Sequence, residues 1–416
     1  MGEAGSPVSS FFVTMNLSFF VILLLSLLPL RVIAHDADAY GGLYRSRDTG
    51  ATWLPADAGL FINASNAIAI NPINSNQLLY GTDTRLLRSQ NGGRDWHDQA
   101  PELIAGPIFC VTFDPDGKVA YAASASGLFR SDANGQWHAL DVPLTALPIA
   151  QIVVANGKAY LAGNDGVYVG NADGQGWSGP ASGLPEEPIS ALLVAEGVPG
   201  GNGPRPVASL GLPRIHVVVA GRIWRSEDGG SSWKQAAGNW TDQRVDILSA
   251  DLLDKQKLWA GGASRVFSSD DGGKSWQTHG KPLPDPNISI RGIAATQAGN
   301  TIVLTTHRGL MRSADGGATW AKVESALPLH LEPSPLTQDR SDPNIVYAGF
   351  SLRPYNEAWR AVQEAAEQRR SDQARKRYAI IAAAASSLVI AIGAVIFLRR
   401  RAIRQSRRTL GEAGQG

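Results

Sequence analysis

A repeat constrains this chain more than any other feature. Seven tryptophans, at positions 53, 96, 137, 177, 233, 276 and 320, close seven related segments spaced by 43, 41, 40, 56, 43 and 44 residues. A sustained period of about 40 residues decides the architecture, because each repeat is one supersecondary unit that buries its apolar face against the next. Four segments carry the pattern SxDxGxxW in full, with Asp48 and Trp53, Asp228 and Trp233, Asp271 and Trp276, and Asp315 and Trp320. A fifth has Asn91 in place of the aspartate and ends at Trp96. The segments ending at Trp137 and Trp177 are degenerate, the first one residue short and the second with Asp173 out of register.

The residue types explain themselves. A strand such as GLYRS, RLLRS, GLFRS, RIWRS, RVFSS or GLMRS leads into each of six segments and alternates in polarity, as a strand with one buried face does. The Asp or Asn accepts turn amides, the glycine supplies a positive φ, and the tryptophan starts the returning strand and packs inward. Two more strands precede each hairpin, for example 67–70 with 77–81 and 108–113 with 119–123. Four short antiparallel strands per period make a propeller blade. Residues 336–350 supply two strands with no hairpin after them, and residues 41–54 a hairpin with no strands before it. Together they complete a seventh blade and close the ring without an open edge. The one long interval holds a Gly- and Pro-rich insertion, 196–214, expected to be a surface loop.

The two ends point to a membrane. Residues 11–30 carry no charge, and Leu17–Leu30 is an apolar run of signal-peptide length, followed by Val32 and Ala34 at a small-residue cleavage position. Residues 1–34 are expected to be a signal peptide or N-terminal anchor that exports the domain behind them. Residues 378–398 form an uncharged stretch of 21, enough at ~1.5 Å per residue to cross a ~30 Å hydrocarbon core, and Arg399, Arg400 and Arg401 stop it abruptly. The expected order is therefore a propeller over 40–352 outside the cytoplasm, a juxtamembrane stalk helix over 356–377 that spaces it from the bilayer, a single transmembrane helix over 378–398, and a basic cytoplasmic tail over 399–416. The whole chain carries a formal charge of +1, yet residues 1–356 carry −6 while the tail has six arginines and one glutamate. A tail of that sign suits anionic headgroups, and the balanced total excludes a chain that wraps nucleic acid.

On these boxes, the chain resembles the BNR or Asp-box repeat β-propellers. The resemblance implies an all-β fold, a seven-bladed β-propeller whose boxes are structural turn staples at the blade periphery. Relatives that share the box are sialidases and related glycoside hydrolases, sortilin-type receptors, and the assembly and stability factors of photosystem II. A sialidase requires an arginine triad and an Arg-Ile-Pro signature, which Arg214, Ile215 and His216 do not match, and its propeller is six-bladed. Sortilin-type receptors carry cysteine-rich modules, whereas Cys110 stands alone. The resemblance to the assembly factors implies a non-catalytic protein-binding platform; a glycan-directed enzyme or lectin, and a sorting receptor, are the alternatives.

Aligning the innermost strands on Ile68, Val111, Ile152, Leu192, Leu248, Ile293 and Leu336 puts Asn66, Phe109, Ala150, Ser190, Asp246, Arg291 and Ser334 at equivalent places near the channel mouth. Asp246 is the one carboxylate of that set, where a glycosidase needs two, and it is expected to pair with Arg291 on the next blade. The turns between second and third strands contribute Arg85, Arg222, Arg265, His307 and Arg308 against Asp83 and Asp165. A mildly acidic body is thus expected to gather basic groups on one face, suited to a protein or acidic peptide segment of a membrane complex. The histidines show no metal-ligand spacing, no cofactor motif occurs, and Cys110 in the strand IFCVTF reads as core packing.

Overall fold

A computed structural model describes residue 2 and residues 41–412, except 58, 196–212, 241–242, 297–298 and 325–326, and without the side chains of 383–385, 387–393 and 400–412. The expected signal segment and most of the 196–214 insertion lie outside the described residues.

The described chain forms seven antiparallel sheets, each a blade. Their innermost strands are Ser65–Asn71, Ile108–Phe113, Gln151–Ala155, Ile189–Ala195, Val245–Ala250, Ile290–Thr296 and Glu332–Gln338, which number blades 1 to 7. In blade 7 the two inner strands come from the C-terminal side of the ring and the two outer ones from its start. Gly42–Ser46 pairs with Val346–Ser351 from Gly42 opposite Phe350 to Ser46 opposite Val346. Seven apolar clusters lie between the blades, one for each neighbouring pair, including blades 6 and 7 and blades 7 and 1. The core of this domain is the set of interfaces around the ring, as expected when a single twisted blade cannot bury both its faces.

Two blades depart from four antiparallel strands. Blade 3 has three strands and only a bridge from Val169 to Ser178, because its out-of-register turn lays the Trp177 indole flat over Gly170 instead of starting a returning strand. Blade 5 gains a fifth strand, Ala237–Gly238, parallel to Ser275–His279.

The repeated turns are held by one hydrogen-bond pattern. In the first, the Ser46 hydroxyl donates to Asp48 Oδ1 at 2.7 Å and accepts the Gly50 amide at 2.8 Å, while Thr52 donates its amide (2.8 Å) and hydroxyl (2.6 Å) to the Asp48 carboxylate. Asp228, Asp271 and Asp315 repeat this with Ser232, Ser275 and Thr319. In Asp228 and Asp315 the hydroxyl of that fourth residue, then its amide, hold the carboxyl down at about 2. In Asp271 partial burial pushes upward, but the Ser275 hydroxyl and amide outweigh it and the carboxyl also sits at about 2. Stability from these pairs is complete above pH ~4 and is lost as the pH falls from there toward 2. The tryptophans behind the turns all reach the interface with the preceding blade.

The fifth turn shows why the residues come in sets. Asn91 offers an amide donor where the others offer an acceptor, and the fourth residue there is Asp95, whose carboxylate accepts from Asn91 Nδ2 at 2.6 Å. Asn91→Asp alone sets two carboxylates against each other and is expected to cost about 1–2 kcal/mol. Asn91→Asp with Asp95→Thr recreates the common pattern and is expected to recover most of that loss in thermal melts; equal destabilisation of single and double variants would contradict it.

After Ser351 the chain turns into one helix, α1, Tyr355–Glu412. The stalk, the span and most of the tail expected as separate pieces are continuous in it. Side chains of the expected span at 378–398 lie partly outside the described residues, and among the described residues no helix is long and apolar enough to cross a membrane. The expected solvated spacer needs correction over its first four turns, where α1 packs on the propeller. Tyr355, Ala358, Trp359, Val362, Gln363, Ala366 and Arg370, with Ala365 beside them, are its buried or partly buried side chains, a stripe spaced mainly by three or four residues, whereas residues 371–382 are exposed all round.

Candidate binding site at the channel mouth

Backbone geometry builds the mouth. In six blades the register between the innermost strand and its neighbour slips by a bulge near the start of that strand. The residues skipped are Asn66, Phe109, Ser190, Asp246 and Arg291, with Ser334 and Pro335 in blade 7. A bulge re-aims the side chain it releases, and these residues, with Ala150 of the unbulged blade 3, line a cavity of about 780 Å³. Six blades thus contribute one freed side chain or more each to a common opening.

The charged groups do not pair as the sequence implied. Arg291 bonds to Glu332, the first residue of the innermost strand of blade 7, rather than to Asp246. Asp246 instead accepts from Arg244 Nε at 2.9 Å, on its own blade. Both residues still line one cavity, and the Asp246 charge opposes the lowering of the Arg291 pKa by burial, but each makes its close ion pair with another partner. Glu332, the carboxylate that meets Arg291, does not itself line the cavity, and the alignment missed it because it lies two residues before Ser334 with only strand alternation to mark it.

The basic turns flank the same opening, since Thr82 pairs with Ser65, Val219 with Ile189, Gly262 with Val245 and Thr306 with Ile290. Most of their cations are engaged. Arg85 meets Asp98 at 3.3 Å, Arg308 pairs with Asp285, and Arg222 donates to the Gln243 carbonyl at 2.6 Å. His307 accepts the Ser289 amide through Nδ1 at 3.0 Å; burial, then Arg291 and Arg308, lower its pKa. Arg265 is half-buried on the remaining turn. Exposed pairs of this kind are worth about 0–1 kcal/mol each, so an incoming carboxylate can compete for them.

Phe109 sits at the centre of the apolar side of the mouth, 3 % exposed. What covers it is α1: the Trp359 ring lies 4.9 Å from it at 80° and the Tyr355 ring 5.8 Å at 85°, both edge-on. Gln363 donates to Asn164 at 3.4 Å, and Arg370 donates to the Leu147 carbonyl. Beneath, Cys110 accepts the Ile152 amide at 3.2 Å and burial pushes its thiol up to about 11, so it packs as an apolar side chain. Among the described residues no group of three or more His, Cys, Asp or Glu is placed to hold a metal ion.

No protein-family profile matches the sequence, and no curated protein does. Solved structures do resemble the fold. YCF48 from Cyanidioschyzon merolae is 14 % identical with a TM-score of 0.51, over 70 % of this chain and 95 % of that one. A structure of YCF48 bound to D1 peptide is 16 % identical with a TM-score of 0.50, over 70 % and 93 %. The extracellular domain of the putative one component system BT4673 from B. thetaiotaomicron is 12 % identical with a TM-score of 0.50, over 69 % of this chain and 38 % of that one. At these identities the likeness is one of fold, and the chain is a seven-bladed β-propeller similar to both.

Proposed function

We propose that this protein is a non-catalytic, membrane-anchored platform that binds a protein or peptide segment at the channel mouth. One observation carries the proposal: consecutive blades release a bulge side chain into a single opening, giving a ring of mixed amide, hydroxyl, aromatic and charged groups of the kind that reads a peptide. The similar fold of YCF48, solved with a D1 peptide, supports a peptide partner. The regular serine, aspartate and glycine turns support membership of the Asp-box propellers and, through that resemblance, a role like that of photosystem assembly factors.

In this proposal residues 1–34 direct export or anchor the N-terminus, and the propeller over 40–352 lies outside the cytoplasm. The chain continues through the juxtamembrane helix 356–377, crosses the membrane over 378–398 and ends in the basic cytoplasmic tail 399–416. Arg222, Arg265 and Arg308 are the cations toward which an acidic segment is drawn, with His307 beside them as a neutral hydrogen-bonding group and Arg85, Asp246 and Arg291 setting its register.

The test is capture from detergent-solubilised native membranes by the full chain and by a variant with Arg85, Arg265 and Arg308 changed to Ala, beside a fluorogenic glycoside screen. A protein partner weakened in the variant, without glycoside turnover, is the expected result. Turnover would bring forward a glycan-directed reading with Asp246 and Glu332 as its carboxylates, and a partner indifferent to the three arginines would move the site elsewhere.

A further inference from the structure

The first four turns of α1 occupy the opening proposed for the partner. Tyr355 and Trp359 lie parallel, their planes 6° apart, and both present their rings to Phe109. Pro354 accepts the Glu357 amide at 3.1 Å to start the helix, and the Asn63 carbonyl holds the Leu352 amide at 2.8 Å just before it. The seat is imperfectly filled. A cavity of about 410 Å³ remains between the helix and the ring, lined by Gln151, Glu187, Ser190 and Arg244 on one side and by Trp359 and Gln363 on the other. Asn66, 5 % exposed, donates through Nδ2 to the Thr82 carbonyl, but its Oδ1 is buried at the mouth without a partner. The polar ties of the helix run to an amide side chain and to backbone carbonyls, groups that a foreign segment finds equally. Beyond Arg370 the helix leaves the propeller.

From this we infer that the channel mouth is a seat for a helical segment carrying aromatic side chains one turn apart, and that residues 355–370 of α1 are its resident occupant. A partner with that chemistry, bringing also an N–H donor for Asn66, enters by lifting these turns. This inference rests on the mouth being a protein-binding site and names both the class of segment it accepts and the device that guards it. The cost of displacement is what a cis ligand imposes on any competitor, since apparent affinity falls by the fraction of molecules whose seat is open.

The probe is a fluorescein-labelled peptide of residues 353–370, added to the full chain in detergent and followed by anisotropy. Trp359→Ala in the protein weakens the resident helix and is expected to tighten peptide binding at least about tenfold over wild type. Phe109→Ala in the same protein, or Trp359→Ala in the peptide, is expected to abolish that gain. Equal binding to wild type and Trp359→Ala, or to neither, would overturn the inference. Amide exchange gives a second reading that does not depend on the peptide: residues 356–370 are expected to exchange more slowly than 371–377 in wild type and to speed up in Trp359→Ala. Exchange as fast as 371–377 in wild type would mean that no docked state exists. Peptide binding with no partner captured from membranes leaves the resident helix standing and removes the proposed function; a captured partner indifferent to Trp359→Ala does the reverse.

Discussion

Trp53→Ala is expected to cost about 3–5 kcal/mol, the range for deleting a fully buried tryptophan, and to lower the melting temperature by roughly 6–10 °C. Trp53 is 1 % exposed, donates to the Gly50 carbonyl at 3.0 Å and packs with Val303, Leu310, Val346 and Phe350 where blade 7 meets blade 6. Blade 7 is also where the two ends of the ring pair, so loosening its outer hairpin opens the closure itself. Trp320 occupies the same motif position in blade 6, but it is only partly buried and donates outward to the Lys281 carbonyl. Its replacement by Ala is expected to cost about 1–2 kcal/mol, the share of the indole that burial removes from water. Thermal unfolding of the two variants side by side checks this, and equal losses would contradict the weight given to the full burial of Trp53.

The second large effect is in acid. His216 is fully buried in the second strand of blade 4, with Nε2 3.2 Å from the Gly272 carbonyl of blade 5 and no partner at Nδ1. Burial, and then the nearby Arg225 charge, hold its pKa down at about 3 against an ordinary 6.5. Between those values the unfolded chain takes up a proton that the folded one refuses. Stability is therefore greatest above pH 6.5 and falls as the pH drops from 6.5 toward 3, by on the order of 4 kcal/mol over the full window. His279 and His307 are lowered in the same direction and add to the slope. His216→Gln keeps an amide for Gly272 and removes the titration. It is expected to melt lower than wild type at pH 7 and to lose less on going to pH 4, so that the two profiles converge; parallel profiles would contradict this account. Gly273 shares the contact, with φ at +81° and a Cβ there only 2.2 Å from His216 Nε2, so Ala at this position breaks the same junction at every pH.

How much of this was legible depended on whether one repeat carried the information. The hairpins, the seven blades and the split blade 7 follow from spacing alone, since every period restates the same turn chemistry. The positions around the mouth followed from aligning one apolar residue per blade. The ion pairs did not, because they depend on where the bulges turn Asp246 and Arg291 and on the in-register Glu332 that meets Arg291, and a bulge leaves no mark in strand alternation. Blade 3 lost its fourth strand to a single shift of Asp173. The docked turns of α1 did leave a signal, the stripe Tyr355, Trp359, Val362 and Ala366, but it is diluted by Glu and Arg and interrupted by Gln363, so it reads as a solvated helix until Phe109 is placed beneath it.

The central claim is that the channel mouth takes a protein segment. A benzophenone amino acid at Ser190, an exposed bulge residue on the rim, introduced into the full chain and photolysed in native membranes, asks this directly. The account predicts two products: an internal adduct to residues 355–363 and an adduct to a second protein, the latter growing at the expense of the former in Trp359→Ala. Internal adducts alone in both forms, or capture of a sugar and no protein, would contradict it.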